Sequence, residues 1–443
     1  MFHFQYFTFT LPKINTMSIF RQSFYCLMAC LLTLSACAGD TTKVATNGPV
    51  PDPDNGGIKL PTGFGGQIVA DKVGRVRHIF VNSNGDLYAK LEKLKDGKGI
   101  VRLRDKNGDG KFDETVGFGN FIGTGMAIKN GYLYASSNTE VFRYKLNEKN
   151  EVPDGAQPEK IITGLWDHHQ HEAKPFTLDN DGNIYVTIGA PSNCCQVQDR
   201  TKGSPGQSPC PILDSAGGVW QFKVDKPNQS YAEGVRYATG LRNVMGLDWN
   251  TAVNSLYVTQ HGRDQLFQFY PEMFSQKEGA ENPSEEMFKV KLGSDCGWPY
   301  CYYDYTKKQK VLNPEYGGDR SKAGDCGSKE QSIVQFPGHL APNDLLFYTG
   351  DLFPEKYKNG AFIAFHGSWN RAPEPQAGFF VVFVPFGKDG MPSGNWEVFA
   401  DGFAGANINK AEYRPCGLAQ GPDGSLYISD DNQGRIWRIT YKK

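Results

Sequence analysis

One phrase recurs along this chain, and it constrains the fold more than any other feature. HIFVNSNGDLYAK begins at His78, GMAIKNGYLYASSNTEVFRY at Gly125, FTLDNDGNIYVTIGA at Phe176, GLDWNTAVNSLYVTQHGRDQLFQF at Gly246 and GLAQGPDGSLYISDDNQGRIWRI at Gly417. Each copy is an apolar strand, an Asn/Asp/Gly turn, and a second strand opening on Leu-Tyr or Ile-Tyr. Several continue through another turn into an alternating strand such as RIWRI. This is hairpin chemistry extended into a β-meander. A worn copy, DLLFYTGDLFPEKYKNGAFIAFHGSWN from Asp344, fills the gap between Tyr257 and Tyr427, so five clear copies and one degenerate copy make six.

A single meander cannot bury both faces of its sheet, so the copies must stack on one another. Repeated four-stranded meanders close radially. The expected fold is all-β, a six-bladed β-propeller over residues 61–443, with long inserted loops on the functional face. The first four marker tyrosines, Tyr88, Tyr134, Tyr185 and Tyr257, stand 46, 51 and 72 residues apart, which is long for the structural alternative, a sandwich. Gly 51 and 13% aromatic residues suit a turn-rich β protein. The widening steps imply loop insertions, where function usually sits. The largest, Pro271 to Gln335, carries CGWPYCYYDY and three cysteines and is expected to overhang the site as a pinned lid. Helices are scarce; a short one is expected within Pro283 to Val290.

Lys+Arg 47 against Asp+Glu 48 leaves a net charge of −1. No basic field exists to hold a polyanion, which excludes nucleic acid as the partner class. Near the start, Arg21 precedes the apolar run FYCLMACLLTLSA, too short and poorly flanked for a stable span. It reads as a secretory signal starting at Met17. It ends LSAC, Leu34 to Cys37, which resembles the bacterial lipobox, with Ala38 rather than an inner-membrane-retaining Asp behind it. The expected organisation is a lipoprotein signal over residues 1–36, a flexible Thr/Gly/Pro/Asp-rich tether over 37–60, and export to the outer membrane on a lipid anchor. Ten cysteines fit an oxidising space. A bridge from Cys194 or Cys195 to Cys210 and another among Cys296, Cys301 and Cys326 are expected; Cys416 makes the count of the remaining seven odd, leaving at least one thiol free.

Three of the eight histidines crowd into DHHQHEAKPF, Asp167 to Phe176. His168, His169 and His171 could form a zinc site, but their spacing on a loop is not a usual ligand spacing. Position decides between them. H-x-x-K-P-F-x-L-D-x-D-G-x-I-Y-V-T-I-G-A runs from His171, GLRNVMGLDW from Gly240, QHGRDQ from Gln260, FHGSWNR from Phe365 and YRPCGLA from Tyr413.

This order of motifs resembles the soluble PQQ-dependent sugar dehydrogenases, particularly their L-sorbosone dehydrogenase-like branch, over about residues 60–443. The resemblance implies a six-bladed propeller with pyrroloquinoline quinone and Ca²⁺ on the central top face, oxidising a sugar or sugar aldehyde at the anomeric or carbonyl carbon with hydride transfer to PQQ C5. It implies that His171 is the general base, since its spacing to Ile184-Tyr185 matches, and that His168 and His169 are polar loop residues. A near-neutral imidazole suits removal of the hydroxyl proton. Arg242 and Asn243 match the arginine–asparagine pair beside the quinone, where Arg242 would also stabilise developing charge. Arg414 matches a last-blade cofactor arginine. Arg371 falls where glucose-oxidising members carry a lysine, a looser match, and Lys174 is a further cofactor candidate. Calcium would be held by the backbone carbonyls of Gly262 and Arg263; Arg263 departs from the frequent proline there. A second loop, DKNGDGKFDE, alternates Asp105, Asn107 and Asp109 with Asp113 beyond, and reads as a structural calcium loop or as a plain acidic turn. Electrons would pass to a separate acceptor, because no C-x-x-C-H haem motif occurs in the sequence. Two other classes remain open: a lactonase-like propeller hydrolase with a central calcium, and a non-catalytic glycan-binding propeller.

Overall fold

The computed structural model describes residues 49–442. The expected signal segment and the lipobox cysteine Cys37 lie outside the described residues. Strand pairing builds six blades. Blade 1 is Val76–Val81, Leu87–Lys95, Lys98–Arg104 and Glu114–Phe118; blade 2 is Met126–Lys129, Tyr132–Ser136, Val141–Lys145 and Glu159–Thr163. Blade 3 is Phe176–Leu178, Asn183–Ile188, Gly218–Lys223 and Val235–Thr239; blade 4 is Val244–Asn250, Ser255–Gln260, Glu285–Val290 and Val334–Phe336. Blade 5 is Pro342–Phe347, Ala361–Phe365, Phe380–Val384 and Glu397–Ala400. Blade 6 is Pro415–Gln420, Leu426–Asp430 and Ile436–Tyr441, and its fourth strand is Phe64–Ala70, from the opposite end of the propeller sequence. That antiparallel pairing closes the ring and leaves no open edge between first and last blades.

The Leu-Tyr phrase explains the stacking. Successive strand residues point to opposite faces of a sheet, and here both faces are covered. The leucine packs backward and the tyrosine forward. Tyr88 joins Met126 and Leu133 between blades 1 and 2, while its neighbour Leu87 joins Tyr427 between blades 6 and 1. Tyr134 meets Ile184, Tyr185 meets Leu256, and Tyr257 meets Ile363 in the next three interfaces. In the worn copy Phe362 takes the tyrosine's place and packs on Leu426 and Trp437. The buried hydroxyls keep partners: Tyr185 donates to Asp179 Oδ2 at 2.9 Å and Tyr257 to the Gly390 carbonyl at 2.5 Å.

Two expectations need correction. Within Pro283 to Val290 there is no helix; Glu285–Val290 is a strand paired with Ser255–Gln260, because Met287 and Phe288 are both buried between blades. The insertion's helix comes earlier, at Gln276–Glu281, opened by a capping box of Ser275 and Glu278. Residues 49–60, within the expected tether, are strapped to blade 6. Asp52 Oδ2 accepts from Ile68 N at 2.7 Å, the Gly56 carbonyl accepts from Trp437 Nε1 at 3.0 Å, and Ile58 is buried in the core of blades 5 and 6. Polar composition hid a short docking segment.

Cys195 pairs with Cys210 and Cys301 with Cys326, leaving Cys194, Cys296 and Cys416 as buried thiols. The blade 4 insertion first runs Ser294–Asp295 along the outer edge of blade 3. It then forms the hairpin Cys301–Asp304 and Gln309–Leu312. That hairpin lies against the loops beyond Gln260: Ser284 N donates to the Tyr303 carbonyl at 3.0 Å, and Tyr316 donates its hydroxyl hydrogen to the Cys194 carbonyl at 3.1 Å.

Candidate active site

Each inner strand begins at the end of the ring where its antiparallel second strand finishes. The loops entering the inner strands and those leaving the second strands therefore share one face. His171 and Lys174 precede blade 3, Arg242 and Asn243 precede blade 4, and Arg414 precedes blade 6; His261, His366 and Asp431 follow second strands. Two carboxylates, one half-buried and one buried, organise these loops.

The first is Asp264. Its Oδ2 accepts from Arg242 Nη2 at 2.9 Å and Arg200 Nη2 at 3.1 Å, and its Oδ1 accepts from Asn370 Nδ2 at 2.7 Å. Burial raises its pKa, but Arg242, His339 and Arg200 outweigh that and hold it at about 2. Arg242 also donates from Nε to the Asn193 carbonyl at 3.1 Å, from Nη2 to Asn193 Oδ1 at 3.2 Å, and from Nη1 to the Gly262 carbonyl at 2.8 Å. The second is Asp431, which accepts from Arg77 Nη1 at 2.6 Å, Arg414 Nη2 at 2.9 Å and His366 Nε2 at 3.0 Å. Burial opposes its charge, yet His366, Arg77 and Arg414 hold it far below the usual carboxylate range.

His171 stands beside Arg242 and His261. Its Nδ1 faces the Ala190 carbonyl at 2.6 Å. A carbonyl only accepts, so Nδ1 carries the hydrogen and Nε2 is left with a lone pair. Burial first, then the Arg242 charge, lowers its pKa to about 3. Gly189 makes the approach possible: a Cβ there would meet His171 Cβ at 2.5 Å and Asn243 Oδ1 at 3.2 Å. Asn243 Nδ2 reaches His261 Nδ1 at 3.5 Å, and His261 Nε2 donates to the Pro342 carbonyl at 3.1 Å. Behind this loop Glu285 accepts from Gly262 N at 2.8 Å and Ala341 N at 3.2 Å; burial raises it to about 7.

The structure thus brings together His171, Arg242 and Asn243, and sets Arg414 in the second cluster. Other candidates are engaged elsewhere. Arg371 is a clamp: it donates to Glu281 Oε1 at 2.6 Å and to the Ala280 and Gly338 carbonyls at 2.7 and 2.8 Å, so its fork ties this loop to the blade 4 insertion and the segment after it. Lys174 is buried with its ammonium folded back onto the Glu172 carbonyl; burial lowers its pKa to about 8. The Arg263 side chain forms a buried pair with Glu315 of the insertion. His168 and His169 are exposed, and the ring of His168 lies 3.7 Å from that of Trp166. The three histidines do not converge on a zinc site; the grouping that does form in this loop is Asp167, His169 and Glu172, with ligand atoms within 4.8 Å of one another. In the acidic loop, Asp105 accepts from Gly108 N and Gly110 N at 2.7 and 2.8 Å and Asp113 from Lys106 N at 2.8 Å. Asp264 and Asp431 were the residues sequence reasoning missed. Asp264 lies inside the QHGRDQ motif but was given no role there, and Asp431 closes ISDD in the last repeat copy, outside the quoted motifs.

The TrAA12-like family model matches residues 58–442. The chain belongs to the TrAA12-like family. Among relatives, a PQQ-dependent sugar dehydrogenase of Hypocrea jecorina is 22% identical over 404 residues, covering 82% of this chain and 84% of that protein. A PQQ-dependent pyranose dehydrogenase of Coprinopsis cinerea is 26% identical over 283 residues, covering 54% of this chain and 36% of its own length. The chain spans half or less of the first curated relatives it matches, 48% and 36% of their lengths. A solved structure of Trichoderma reesei carbohydrate-active enzyme family AA12 superposes with a TM-score of 0.69 at 18% identity, covering 87% of this chain and 98% of that one, which establishes the shared TrAA12-like fold.

Proposed function

We propose that this chain is a PQQ-dependent dehydrogenase that oxidises a sugar or sugar aldehyde at its anomeric or carbonyl carbon, with His171 as the proton acceptor. The observation that carries this reading is a cationic surplus on the same face as a tautomer-locked histidine. At Asp431 two guanidiniums share one buried carboxylate, and Arg414 Nε is buried without a partner among the described residues. Arg242 and Arg200 likewise share Asp264, although Arg200 also faces Asp199 at 3.9 Å. A tricarboxylate fits such a face by charge and by donor geometry. The relatives named for PQQ and sugars support the same assignment.

In this mechanism Arg414 and Arg77 would hold the cofactor's carboxylates, and Arg242 and Asn243 would orient it and favour negative charge developing on it. PQQ, when bound, supplies the two-electron acceptor for the hydride of the oxidised carbon. His171 takes the hydroxyl proton at Nε2 while Nδ1 stays on Ala190. An anion placed beside His171 offsets the Arg242 charge and raises its pKa toward the working range. The Gly262 carbonyl accepts from Arg242 Nη1, which engages one of its two lone pairs, so the reading is carried by the arginines rather than by calcium. A hydrolase would turn on carboxylates of this face; Asp264 and Asp431 are each held by two arginines, which leaves Asp167 and Glu172 beside His169 as its candidates. Export on a lipid anchor and transfer of electrons to a separate acceptor complete the proposal, and the two disulfides suit that compartment.

The test is reconstitution of apoprotein with PQQ, with and without Ca²⁺, followed by dye reduction on a panel of aldoses. A change in quinone absorbance and sugar-dependent reduction support the reading; lactone hydrolysis without either sinks it.

A further inference from the structure

Trp369 is 81% exposed, in a chain whose Trp220, Trp249, Trp298 and Trp437 are all buried. It does not sit on a loose loop. Ser368 Oγ donates to the His339 carbonyl at 3.0 Å, Asn370 Nδ2 donates to Asp264 Oδ1 at 2.7 Å, and Arg371 is clamped to the blade 4 insertion. The residues on both sides are thus pinned inward, and through Asp264 the loop is tied to Arg242. Between them the indole is held out in solvent.

The indole rims a cavity of about 390 Å³, inside the ordinary small-ligand range, that also holds Phe379, Ile408, Asn409, Asn432 and Arg414. The polar groups are complementary. The amide nitrogen of Asn432 is engaged by the Ala411 and Glu412 carbonyls, which leaves its oxygen available as an acceptor. The Asn409 oxygen accepts from Gln376 N, and its own N–H groups have no protein partner among the described residues. One donor amide and one acceptor amide beside an aromatic face match adjacent sugar hydroxyls and the apolar face of a pyranose ring.

We propose that Trp369, Asn409 and Asn432 form a saccharide subsite distinct from the reacting position, so that the preferred substrate is an oligosaccharide oxidised at its reducing end. This rests on reading the neighbouring site as sugar-oxidising. His366 and Arg414, of the Asp431 cluster, line the same cavity, so the subsite adjoins the groups assigned to the cofactor's carboxylates.

Apoprotein is titrated with glucose, maltotriose and cellotriose, following tryptophan fluorescence and binding heat. At least one trisaccharide should bind about tenfold more tightly than glucose, the scale of one aromatic stacking contact. Trp369→Ala and, to a smaller extent, Asn409→Ala should bring that trisaccharide down to the glucose level and leave glucose unchanged. In PQQ-loaded protein the same variants should raise KM for the trisaccharide with kcat preserved. Equal binding of all three sugars, no binding by any, or a fall in PQQ affinity in Trp369→Ala in place of saccharide affinity overturns the subsite. If instead PQQ-loaded protein oxidises no sugar while trisaccharides bind through Trp369, the sugar-oxidation reading fails and the subsite stands.

Discussion

His171 and Ala190 are joined by a hydrogen bond of 2.6 Å from the imidazole Nδ1 to the backbone carbonyl. The bond crosses from the loop entering blade 3 to the loop after that blade's second strand, so one sheet fixes both ends. It assigns the tautomer, and it points the basic nitrogen away from the backbone. A loop histidine becomes a positioned proton acceptor through a main-chain contact that no side-chain motif records.

His171→Ala should therefore lower turnover by about 10²–10⁴-fold, the usual contribution of a general base. PQQ affinity should change little, because the arginines remain. His168→Ala and His169→Ala should be milder, since both side chains are exposed. PQQ titration and single-turnover reduction of the three variants check this. Turnover lost in His169→Ala and retained in His171→Ala would place the base elsewhere in the loop.

Gly189→Ala probes the same contact from the other side. The added Cβ would lie 2.5 Å from His171 Cβ and 2.6 Å from the His171 carbonyl oxygen, so the loop must move. Turnover should fall by about tenfold or more, because a small misplacement of a catalytic group is costly in rate, and the forced shift of a buried loop should cost about 1–3 kcal/mol in stability. Unchanged turnover would show that His171 is not held where catalysis needs it.

The ring was legible in the sequence because each marker dipeptide does two jobs: Leu87 and Tyr88 fill different interfaces, and the same is true at every copy. Where Tyr gives way to Phe362 the packing role survives, which is why the worn copy still counted. The site was legible only in part. His171, Arg242 and Asn243 carry their spacing to a strand marker, and strands fix where they end up. Arg371 and Lys174 were readable as cations near the site and Arg263 as a backbone ligand, but a charged side chain's role depends on its partner. Glu281 and Glu315, which engage Arg371 and Arg263, come from the blade 4 insertion, where no local pattern predicts the pairing. The buried strap at residues 51–58 escaped for a similar reason: one isoleucine and a set of backbone bonds dock it, not an apolar stretch.

Two arginines expected to serve the cofactor should now separate in experiment. Arg414→Ala removes a guanidinium whose Nε has no protein partner, so PQQ affinity should drop by about 10–100-fold, the worth of a charge-assisted hydrogen bond. Arg371→Ala breaks a clamp on Glu281, Ala280 and Gly338; it should cost about 2 kcal/mol in stability and leave PQQ affinity near wild type. Denaturant midpoints and PQQ titrations of both variants decide. Loss of PQQ affinity in Arg371→Ala alone would return Arg371 to the cofactor site.

The inner strands hold a second set of titratable groups, away from the upper loops. Burial raises Asp344 to about 8 against the N–H groups of Leu418 and Leu345, and raises Asp248 to about 7. His78 Nε2 lies 3.7 Å from Asp344 Oδ1, and burial lowers that imidazole to about 4. In the folded protein Asp344 is therefore protonated at neutral pH, whereas in the unfolded chain an aspartate ionises near pH 4. Between those values the unfolded chain binds fewer protons, so this group's contribution to stability is present below about pH 4 and is lost as pH rises toward 8. Asp344→Asn keeps the shape and an acceptor for Leu418 N but cannot ionise. Its melting temperature should stay near wild type at pH 5 and exceed it at pH 9 by the equivalent of at least about 1 kcal/mol, giving a flatter pH profile. Asp248→Asn should flatten the same profile over a narrower window that closes near pH 7. Melting curves from pH 5 to pH 9 for the three proteins are the measurement, and an Asp344→Asn profile parallel to wild type would mean that the buried carboxyl is ionised in the fold.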